Sequence, residues 1–271
     1  MPQNSRHPHP SPARMPSPLP ISGVVIAKNE ADRIARCVRS LWSVCCEVIV
    51  LDSGSSDATV AIARATGARV EHQDWLGFAA QKNAVIERAT QPWVLLLDAD
   101  EWLGGHAESR LRALFADGAV ERADVWTLQR RTHFLGRALE YGGWGREAVA
   151  RLFRPHLRYL PAMVHEKLDC SGQRVARASV RIEHDTARSL DEYRSTLDRY
   201  AVLWAQQKFA AGHAAGGRAG PTHAAAYWLK NYLLRGGFLD GAEGRIYHAC
   251  HAQYVRAKYA RLHALARLDA R

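Results

Sequence analysis

Four short apolar runs, separated by helical stretches, dominate the sequence from Ile21 to Leu97. The runs are ISGVVIA (21–27), EVIVL (47–51), ARVE (68–71) and WVLLL (93–97). The last is a continuous apolar run bounded by a proline and by carboxylates, as is typical of a fully buried strand in a parallel sheet. Strands that alternate with helices predict βαβ units with right-handed crossovers. We therefore expect an α/β fold with a mostly parallel sheet and helices on both faces.

Helical periodicity supports this alternation. Ile34, Val38 and Leu41 lie on one apolar stripe, with charged residues on the opposite face. The predicted helices between the strands are residues 34–42, 59–65 and 81–89. Beyond residue 100 the pattern predicts a helix near 108–115, strands at 125–129, 151–154, 164–166 and 180–184, and helices from Leu190 onward with a Gly-rich break at 212–220. A loop at 134–146 is rich in Gly, aromatic residues and Arg, which favours close approach to a ligand.

The fourth run stops in three carboxylates, those of Asp98, Asp100 and Glu101. In open α/β sheets ligands bind outside the carboxyl ends of the strands, and residues two apart on an extended chain point to the same side. Two carboxylates in that position suit Mg²⁺ or Mn²⁺, which complete their shell with water and phosphate oxygens. For the Asp-x-Asp tripeptide alone, a solvated polar turn is the alternative interpretation.

The charge of the chain is unusual. Lys and Arg exceed Asp and Glu by 37 to 27, a formal net charge of +10, which indicates a polyanionic partner. The cations are spread along the chain and no recognition motif for DNA or RNA is present, so we expect no nucleic-acid partner.

No apolar run is long enough for a membrane span or a secretory signal. Five cysteines without a Cys-x-x-Cys pair are typical of reduced, buried thiols. A cytoplasmic protein is expected, with any membrane contact peripheral.

Three regions are predicted. Residues 1–20 hold seven of the eleven prolines, a composition typical of a disordered leader. Residues 21–188 form the α/β domain, and residues 189–271 form a helical C-terminal extension. From Thr222 onward, aromatic residues such as Tyr227, Trp228 and Tyr232 stand beside Lys and Arg. This suits a surface that lies on anionic lipid, or a helical cap that packs on the core; both can hold for one helix pair.

Four segments resemble, in order and spacing, the family 2 glycosyltransferases of the GT-A fold. They are VVIAKNE (24–30), LDSGSSDAT (51–59), QKN (81–83) and LDADE (97–101). The later segments RLF (151–153), VHE (164–166) and GGFLDG (236–241) look more narrowly like bacterial lipopolysaccharide-core β-glucosyltransferases of the WaaE type. The resemblance covers about residues 21–271. It implies an inverting, metal-dependent transfer of a hexose, most simply glucose from UDP-glucose, to a lipopolysaccharide inner core or a similar glycolipid.

The resemblance also implies a nucleotide-sugar site, formed by Ala27, Asn29, Glu30, Asp52, Lys82, Asp98, Ala99 and Asp100. Asp52 would accept hydrogen bonds from the uracil or ribose, although many relatives have two acids where this chain has Asp52 and Ser53. Lys28, Asn29 and Glu30 would flank the base and ribose. Lys82 would meet the diphosphate as a point charge. The structural alternatives are that Glu30 caps the following helix and that Lys82 is a solvated helix charge.

The same resemblance assigns the chemistry. Asp98 and Asp100 would hold the Mg²⁺ or Mn²⁺ that bridges the two phosphates, and His184 would complete the metal site, with His165 as a competitor. Glu166 would be the general base that deprotonates the acceptor hydroxyl. The alternative is a structural Glu166 paired with an arginine such as Arg151.

Two other functions fit parts of the sequence. The same chemistry could act on a peptide or another glycan. A hypothesis from a different functional class is a basic nucleic-acid- or membrane-binding protein with a degenerate transferase domain. The intact Asp98, Asp100 and Glu166 argue against degeneracy.

Overall fold

The computed structural model describes residues 17–145, 147–164 and 166–269. Its strands are β1 Leu19–Ala27, β2 Cys45–Asp52, β3 Arg69–His72, β4 Trp93–Asp98, β5 Glu101–Leu103, β6 Val125–Phe134, β7 Arg137–Ala138, β8 Glu147–Phe153 and β9 Val175–Asp185. Its α-helices are α1 Ile34–Trp42, α2 Thr59–Ala65, α3 Phe78–Ile86, α4 Ala107–Ala116, α5 Leu190–Ala210, α6 Ala219–Tyr227 and α7 Gly241–Asp269. A π-helical segment, Trp228–Leu234, follows α6, and 3₁₀ turns occur at Ala119–Arg122 and Gly237–Asp240.

The strands form one sheet in the order β3-β2-β1-β4-β8-β6-β9-β5, with β7 paired to β6. The first four strands are parallel, as the βαβ pattern predicts. Strand β8 runs antiparallel to β4 and β6, while β9 runs parallel to β6 and antiparallel to β5. The predicted α/β class with C-terminal helices is therefore confirmed.

Apolar side chains fill both faces of the sheet. Val25 belongs to a core that α1 covers with Val38 and Leu41. Its neighbour Val24 points to the opposite face and packs with Val85 of α3. Successive residues of a strand alternate between faces, so a strand buried on both sides must be apolar throughout. This explains why the strands appear in the sequence as continuous apolar runs.

Several predicted boundaries and elements need correction. The leader prediction falls largely on residues 1–16, which lie outside the described part of the chain, and β1 begins at Leu19, inside the predicted leader. Strand β6 continues to Phe134, beyond the predicted end at residue 129, because its pairing with β9 continues through Arg130 and Arg131 to His133.

No strand forms at Val164 or Glu166 among the described residues. They lie in a loop closed by a bridge between Tyr159 and Leu168. His165 lies outside the described residues.

The C-terminal helices pack on the end of the sheet. Phe134 of β6 contacts the ring of Tyr193 in α5, with centroids 5.0 Å apart, and the ring of Tyr247 in α7, at 5.2 Å. The rings of Tyr193 and Tyr247 also stack on each other, 5.6 Å apart. A third apolar core thus joins this extension to the sheet, as the helical-cap interpretation predicts. Among the described helices, none is both long and apolar enough to cross a membrane.

The glycine loop, residues 139–145 after β7, lies close to C-terminal segments of the same chain. Gly142 and Gly143 have φ values of 69° and 91°, which favour glycine. A Cβ at Gly142 would overlap the Nε2 atom of His248, and one at Gly143 would lie 2.7 Å from Nη1 of Arg235. The close approach is therefore to the C-terminal segments of the same chain.

The five cysteines are free thiols. Cys37, Cys45 and Cys250 are buried, as predicted, and burial raises the pKa of the Cys37 and Cys45 thiols. Cys46 is exposed, because it lies at the start of β2 and points away from the core, so the prediction of buried thiols is wrong at that residue.

Candidate functional site

The candidate site lies at the carboxyl ends of the parallel strands. Register places Ala27 of β1 opposite Asp52 of β2, and Ile26 opposite Asp98 of β4. The ends of three neighbouring strands are therefore level, and their loops share one edge of the sheet. Ala27 and Ala99 are both buried, so at these positions backbone groups are what a ligand would meet.

Asp52 organises the loop that follows it. Its Oδ2 accepts hydrogen bonds from the backbone N–H groups of Gly54 and Ser55, at 2.9 and 3.0 Å, and its Oδ1 accepts from Ser55 Oγ at 2.5 Å. The same Ser55 hydroxyl accepts from the backbone N–H of Asn29 at 2.9 Å. Asn29 has a positive φ of 57° and its Oδ1 accepts from the backbone N–H of Ser56 at 2.8 Å. These bonds join the loops after β1 and β2 into one preformed wall.

Glu30 does not cap a helix with its side chain. Its Oε2 accepts from Arg33 Nε at 2.9 Å and from Arg188 Nη2 at 2.7 Å. Burial raises the pKa of Glu30 to about 7, and this effect outweighs the two guanidinium groups. Arg188 also pairs with Asp32 and donates to the carbonyl of Asn29. The residue just before α5 thus fixes the loop after β1.

Lys82 and Arg151 neutralise Asp98. Lys82 Nζ lies 3.0 Å from Asp98 Oδ1, and Arg151 Nη2 lies 2.6 Å from Asp98 Oδ2. Burial opposes the ionisation of Asp98, but the two cations hold its pKa well below the usual range. The Lys82 side chain is only 5% exposed, so it is not a solvated helix charge. Burial disfavours its ammonium, yet Asp98 beside it raises the pKa of Lys82.

Glu101 continues this network inward. The residue is fully buried, and its Oε1 accepts from Arg151 Nη2 at 2.7 Å and from Arg130 Nη1 at 3.4 Å. Its Oε2 accepts from the backbone N–H of Asp98 at 3.1 Å. A buried charge is tolerated only when it is paired and hydrogen-bonded. Glu101 therefore holds Arg151 in position against Asp98.

Glu166 meets the same ammonium. Lys82 Nζ lies 2.6 Å from Glu166 Oε1. The alternative pairing of Glu166 with Arg151 is wrong, since Arg151 donates instead to Asp98 and Glu101. The two carboxylates predicted for donor and acceptor chemistry therefore lie within 3.0 Å of one cation.

Three consecutive residues of α3 hold three parts of the site. Gln81 is buried and donates to Ser53 Oγ at 2.9 Å, in the loop after β2. Lys82 joins Asp98 to Glu166. Asn83 donates to the carbonyl of Tyr159 at 3.0 Å and accepts from its backbone N–H at 2.7 Å. Since Tyr159 closes the loop that carries Glu166, this helix positions the Glu166 loop over the strand ends.

Asp100 and His184 form the best candidate metal ligands. His184 Nε2 lies 3.3 Å from Asp100 Oδ2, because β5 and β9 pair next to them. Burial opposes ionisation of Asp100, but the His184 imidazole holds its pKa below the usual range. His184 Nδ1 is buried and has no hydrogen-bond partner among the described residues. A carboxylate with an imidazole is a donor set that suits Mn²⁺. Both oxygens of Asp98 already face cations, so Asp98 fits direct ligation less well.

No group of three or more His, Cys, Asp or Glu side chains converges as a complete metal cage in the part of the chain that the structure describes.

Sequence patterns missed several residues of this site. Glu101 stands in the LDADE segment, but no spacing there identifies it as a residue of the site. Tyr159 takes part through its backbone N–H and carbonyl groups, which a sequence pattern does not reveal. Arg130 and Arg188 come from distant segments, and only their partners in space identify them. Arg151 stands in the RLF segment, but no pattern in that segment indicates that its guanidinium pairs with Asp98 and Glu101.

A family model described as glycosyl transferase family 2 matches residues 22–173, which is more than half of the 271-residue chain. The matched segment includes all of the predicted site residues except His184. It begins in β1 and ends shortly before β9.

Two relatives illustrate the range of similarity. An uncharacterised glycosyltransferase of Rickettsia felis is 42% identical over 102 residues, which make up 38% of this chain and 36% of that protein. The match thus spans about a third of the length of that relative. The lipopolysaccharide core biosynthesis glycosyltransferase LpsC of Rhizobium meliloti is 28% identical over 261 residues, covering 91% of this chain and 94% of that protein.

Solved structures are more distant. The crystal structure of S. aureus TarS, residues 1–349, is 13% identical, with a TM-score of 0.46, and the match covers 92% of this chain and 91% of that one. A likeness at this level carries no argument about substrate.

Proposed function

Because the chain belongs to glycosyl transferase family 2, we propose that it is an inverting hexosyltransferase that uses a nucleotide-sugar donor and a divalent cation. The observation that carries this proposal is that the Lys82 ammonium lies within 3.0 Å of both Asp98 and Glu166. Asp98 stands at a strand end, where the donor binds in α/β folds. Glu166 lies on a separate loop. This geometry brings an acceptor-side base close to a donor-side anchor.

The donor nucleotide would lie along the loops after β1 and β2. Asn29, Glu30 and Asp52 belong to this wall. Hydrogen bonds through Ser55 join Asn29 to Asp52, and the backbone N–H of Glu30 donates to Thr59 Oγ1 at 2.8 Å, so the wall is preformed. Lys28 is exposed at its rim. Most oxygens of Asp52 and Asn29 already serve the loops, so we infer that base and ribose contact backbone groups and remaining lone pairs. Such a site orients the donor at little entropic cost.

The diphosphate end of the donor would lie at Asp100 and His184, which would hold Mg²⁺ or Mn²⁺. A cation bound there supplies Lewis-acid stabilisation of the departing diphosphate. Lys82 is engaged with two carboxylates, so we infer that its charge acts on the site through Asp98 and Glu166 rather than on the phosphates directly.

Glu166 would remove the proton from the acceptor hydroxyl. The hydroxyl oxygen then attacks the anomeric carbon on the face opposite the bond to the diphosphate, which breaks as the new glycosidic bond forms. The proton moves to a Glu166 oxygen. The Lys82 ammonium, 2.6 Å from Glu166 Oε1, holds this carboxylate in place for the step.

For the substrates we propose UDP-glucose as donor and a lipopolysaccharide inner core or a similar glycolipid as acceptor. The RLF, VHE and GGFLDG segments and the full-length similarity to LpsC support this choice. The net charge of +10 also suits an acceptor that bears phosphates and acidic sugars. We further propose that the enzyme works at the cytoplasmic face of a membrane as a peripheral protein.

Incubation with a panel of nucleotide sugars, with and without Mn²⁺, tests the proposal. We expect slow hydrolysis of one donor class, and faster turnover when a core oligosaccharide is added. The Glu166→Gln variant is the matched control, since it keeps the fold and the donor site. Failure of every nucleotide sugar to bind or turn over would overturn the proposal, and turnover with a peptide acceptor alone would overturn the glycolipid assignment.

A further inference from the structure

Several large apolar side chains point to solvent after α6. They belong to the π-helical segment and the 3₁₀ turn that follows it, and each is about half exposed or more: Leu229, Leu233, Leu234, Phe238 and Leu239. We call these five residues the leucine patch. Leu234 protrudes furthest, with 77% of its surface exposed. Large apolar side chains exposed together on one short segment are typical of an interaction site.

The segment that carries the patch is anchored rather than loose. Tyr227 OH lies 3.0 Å from Nδ1 of the buried His248, and the Trp228 and Tyr232 rings lie 4.2 Å apart. The backbone N–H of Gly142 donates to the carbonyl of Arg235 at 3.0 Å. Tyr227 and Tyr232 therefore contact His248 of α7, and the leucines are left exposed. The helical-cap interpretation describes the inner face of this segment, and the lipid interpretation remains a prediction for its outer face.

Tyr141 extends the apolar surface. A Cβ placed on Gly236 would lie 3.1 Å from Leu239 Cδ1 and 3.6 Å from Tyr141 Cδ1, so the two side chains flank the same glycine. Tyr141 is 46% exposed. The patch is therefore built from two segments that are distant in sequence, which makes it a feature of the folded protein.

Cations border the patch. Lys230 and Arg235 are exposed within the same segment. Arg137 lies beside Gly241 and pairs with Glu243 at 3.5 Å, so it adds no net charge there. The acid of residues 228–240 is Asp240, which is buried and accepts from the backbone N–H groups of Glu140 and Tyr141. The charged side chains exposed within the patch segment itself are therefore cationic.

We propose that the leucine patch inserts into the interface of an anionic lipid bilayer, an inference that rests on the glycolipid acceptor of the proposed function and gives it a location. Leucine side chains enter the acyl boundary while Lys and Arg reach lipid phosphates. A second protein chain fits less well, since a stable protein interface needs roughly 20 residues a side and the patch has five.

The patch is linked to the site through the glycine loop. Tyr141 and Gly142 contact the patch segment. Glu147, a few residues further, pairs with Arg130 at 2.5 Å, and Arg130 reaches the buried Glu101. A bilayer held at the patch would therefore have a defined orientation relative to the site, as an enzyme that acts on a membrane-held acceptor requires.

Vesicle co-sedimentation of the full chain tests the proposal without any need for activity. We expect binding to vesicles of equal parts phosphatidylcholine and phosphatidylglycerol, and weak binding to phosphatidylcholine alone. Leu233→Ser combined with Leu234→Ser should lower the partition coefficient by at least about tenfold. Lys230→Glu should lower it by at least about fivefold at low salt.

Matched controls separate this site from general effects. Leu268→Ser changes a leucine of similar exposure at the end of α7, and Arg64→Glu makes the same charge change on α2; both should bind like the wild type. Thermal melting of every variant reports the fold, and UDP calorimetry reports the donor site. Together they distinguish a failure of the membrane proposal from a failure of the proposed function. Vesicle binding by the Leu233/Leu234 variant equal to that of the wild type would overturn the proposal. So would a wild-type protein that does not bind vesicles but self-associates, if the Leu233/Leu234 variant abolishes that self-association.

Discussion

The ammonium of Lys82 donates to the carboxylate of Glu166 across 2.6 Å, although the two residues are 84 positions apart in the chain. The same ammonium lies 3.0 Å from Asp98. A lysine buried in this way joins the acceptor-side loop to the strand end where the donor is expected. One cation thus offsets the charge of two carboxylates, and its removal would affect both.

The first prediction concerns Glu166. Glu166→Gln keeps the shape of the side chain and removes its basicity, so turnover should fall by roughly 10²-fold or more. Because the change affects the transition state, kcat and kcat/KM should fall together, while UDP affinity measured by calorimetry stays close to that of the wild type. Near-normal turnover on the true acceptor would remove Glu166 from the reaction, and Asp169 would be the next candidate.

The second prediction concerns the shared cation. Lys82→Met leaves Asp98 and Glu166 facing each other without their common partner, and removal of one member of a buried ion pair costs about 3–5 kcal/mol. We expect a loss of unfolding free energy of this order in urea denaturation, together with lower turnover. Lys230→Met is the control, since Lys230 is exposed and should change stability by about 0.5 kcal/mol or less. A stable and fully active Lys82→Met variant would contradict the role of the bridge.

The third prediction concerns the cation site. If Asp100 and His184 hold Mn²⁺, Asp100→Asn and His184→Ala should each weaken UDP binding in the presence of Mn²⁺, and EDTA should weaken UDP binding by the wild type. In the absence of metal the variants and the wild type should bind UDP alike. The exposed His156 offers a control, as His156→Ala should change neither quantity. Calorimetry that finds UDP affinity unchanged by EDTA would exclude this role.

The fourth prediction concerns pH. Burial lowers the pKa of His248, so the folded state binds a proton on this imidazole less readily than the unfolded state does. A lowered folded-state pKa contributes stability that is complete above the unfolded value of about 6.5 and is lost as the pH falls below it. The part of the unfolding free energy that His248 contributes should therefore decrease between pH about 7.5 and about 5. Glu30, whose pKa burial raises to about 7, contributes in the opposite sense as the pH falls. The difference between the wild type and a His248 variant isolates the part that belongs to His248.

His248→Gln should show a smaller decrease over the same range, whatever its stability at neutral pH. Urea denaturation at several pH values measures both slopes. Identical slopes would show that other groups set the pH dependence.

Local patterns determined much of the fold. The apolar stripe of α1 and the boundaries of α2 are visible in the sequence and agree with the structure to the residue. Strands β1, β2 and β4 could be predicted because both of their faces are buried, which forces a continuous apolar run. The extension of β6 beyond residue 129 and the Glu166 loop could not be predicted, since their conformations depend on pairing with segments far away in sequence.

The site shows the same division. The sequence alone determined that Asp52 and Asp98 lie at strand ends on one edge of the sheet, because chain direction follows from local geometry. The prediction that Asp98 and Asp100 point to the same side of an extended chain is wrong, since Asp100 lies in the turn between β4 and β5. Only the tertiary structure decided that Asp98 is neutralised by Lys82 and Arg151 while Asp100 faces His184. Likewise it turned Tyr232 inward and Leu234 outward. The physical reason is that charges and apolar surfaces act through space, so their partners depend on how distant segments pack and are not encoded in spacing along the chain.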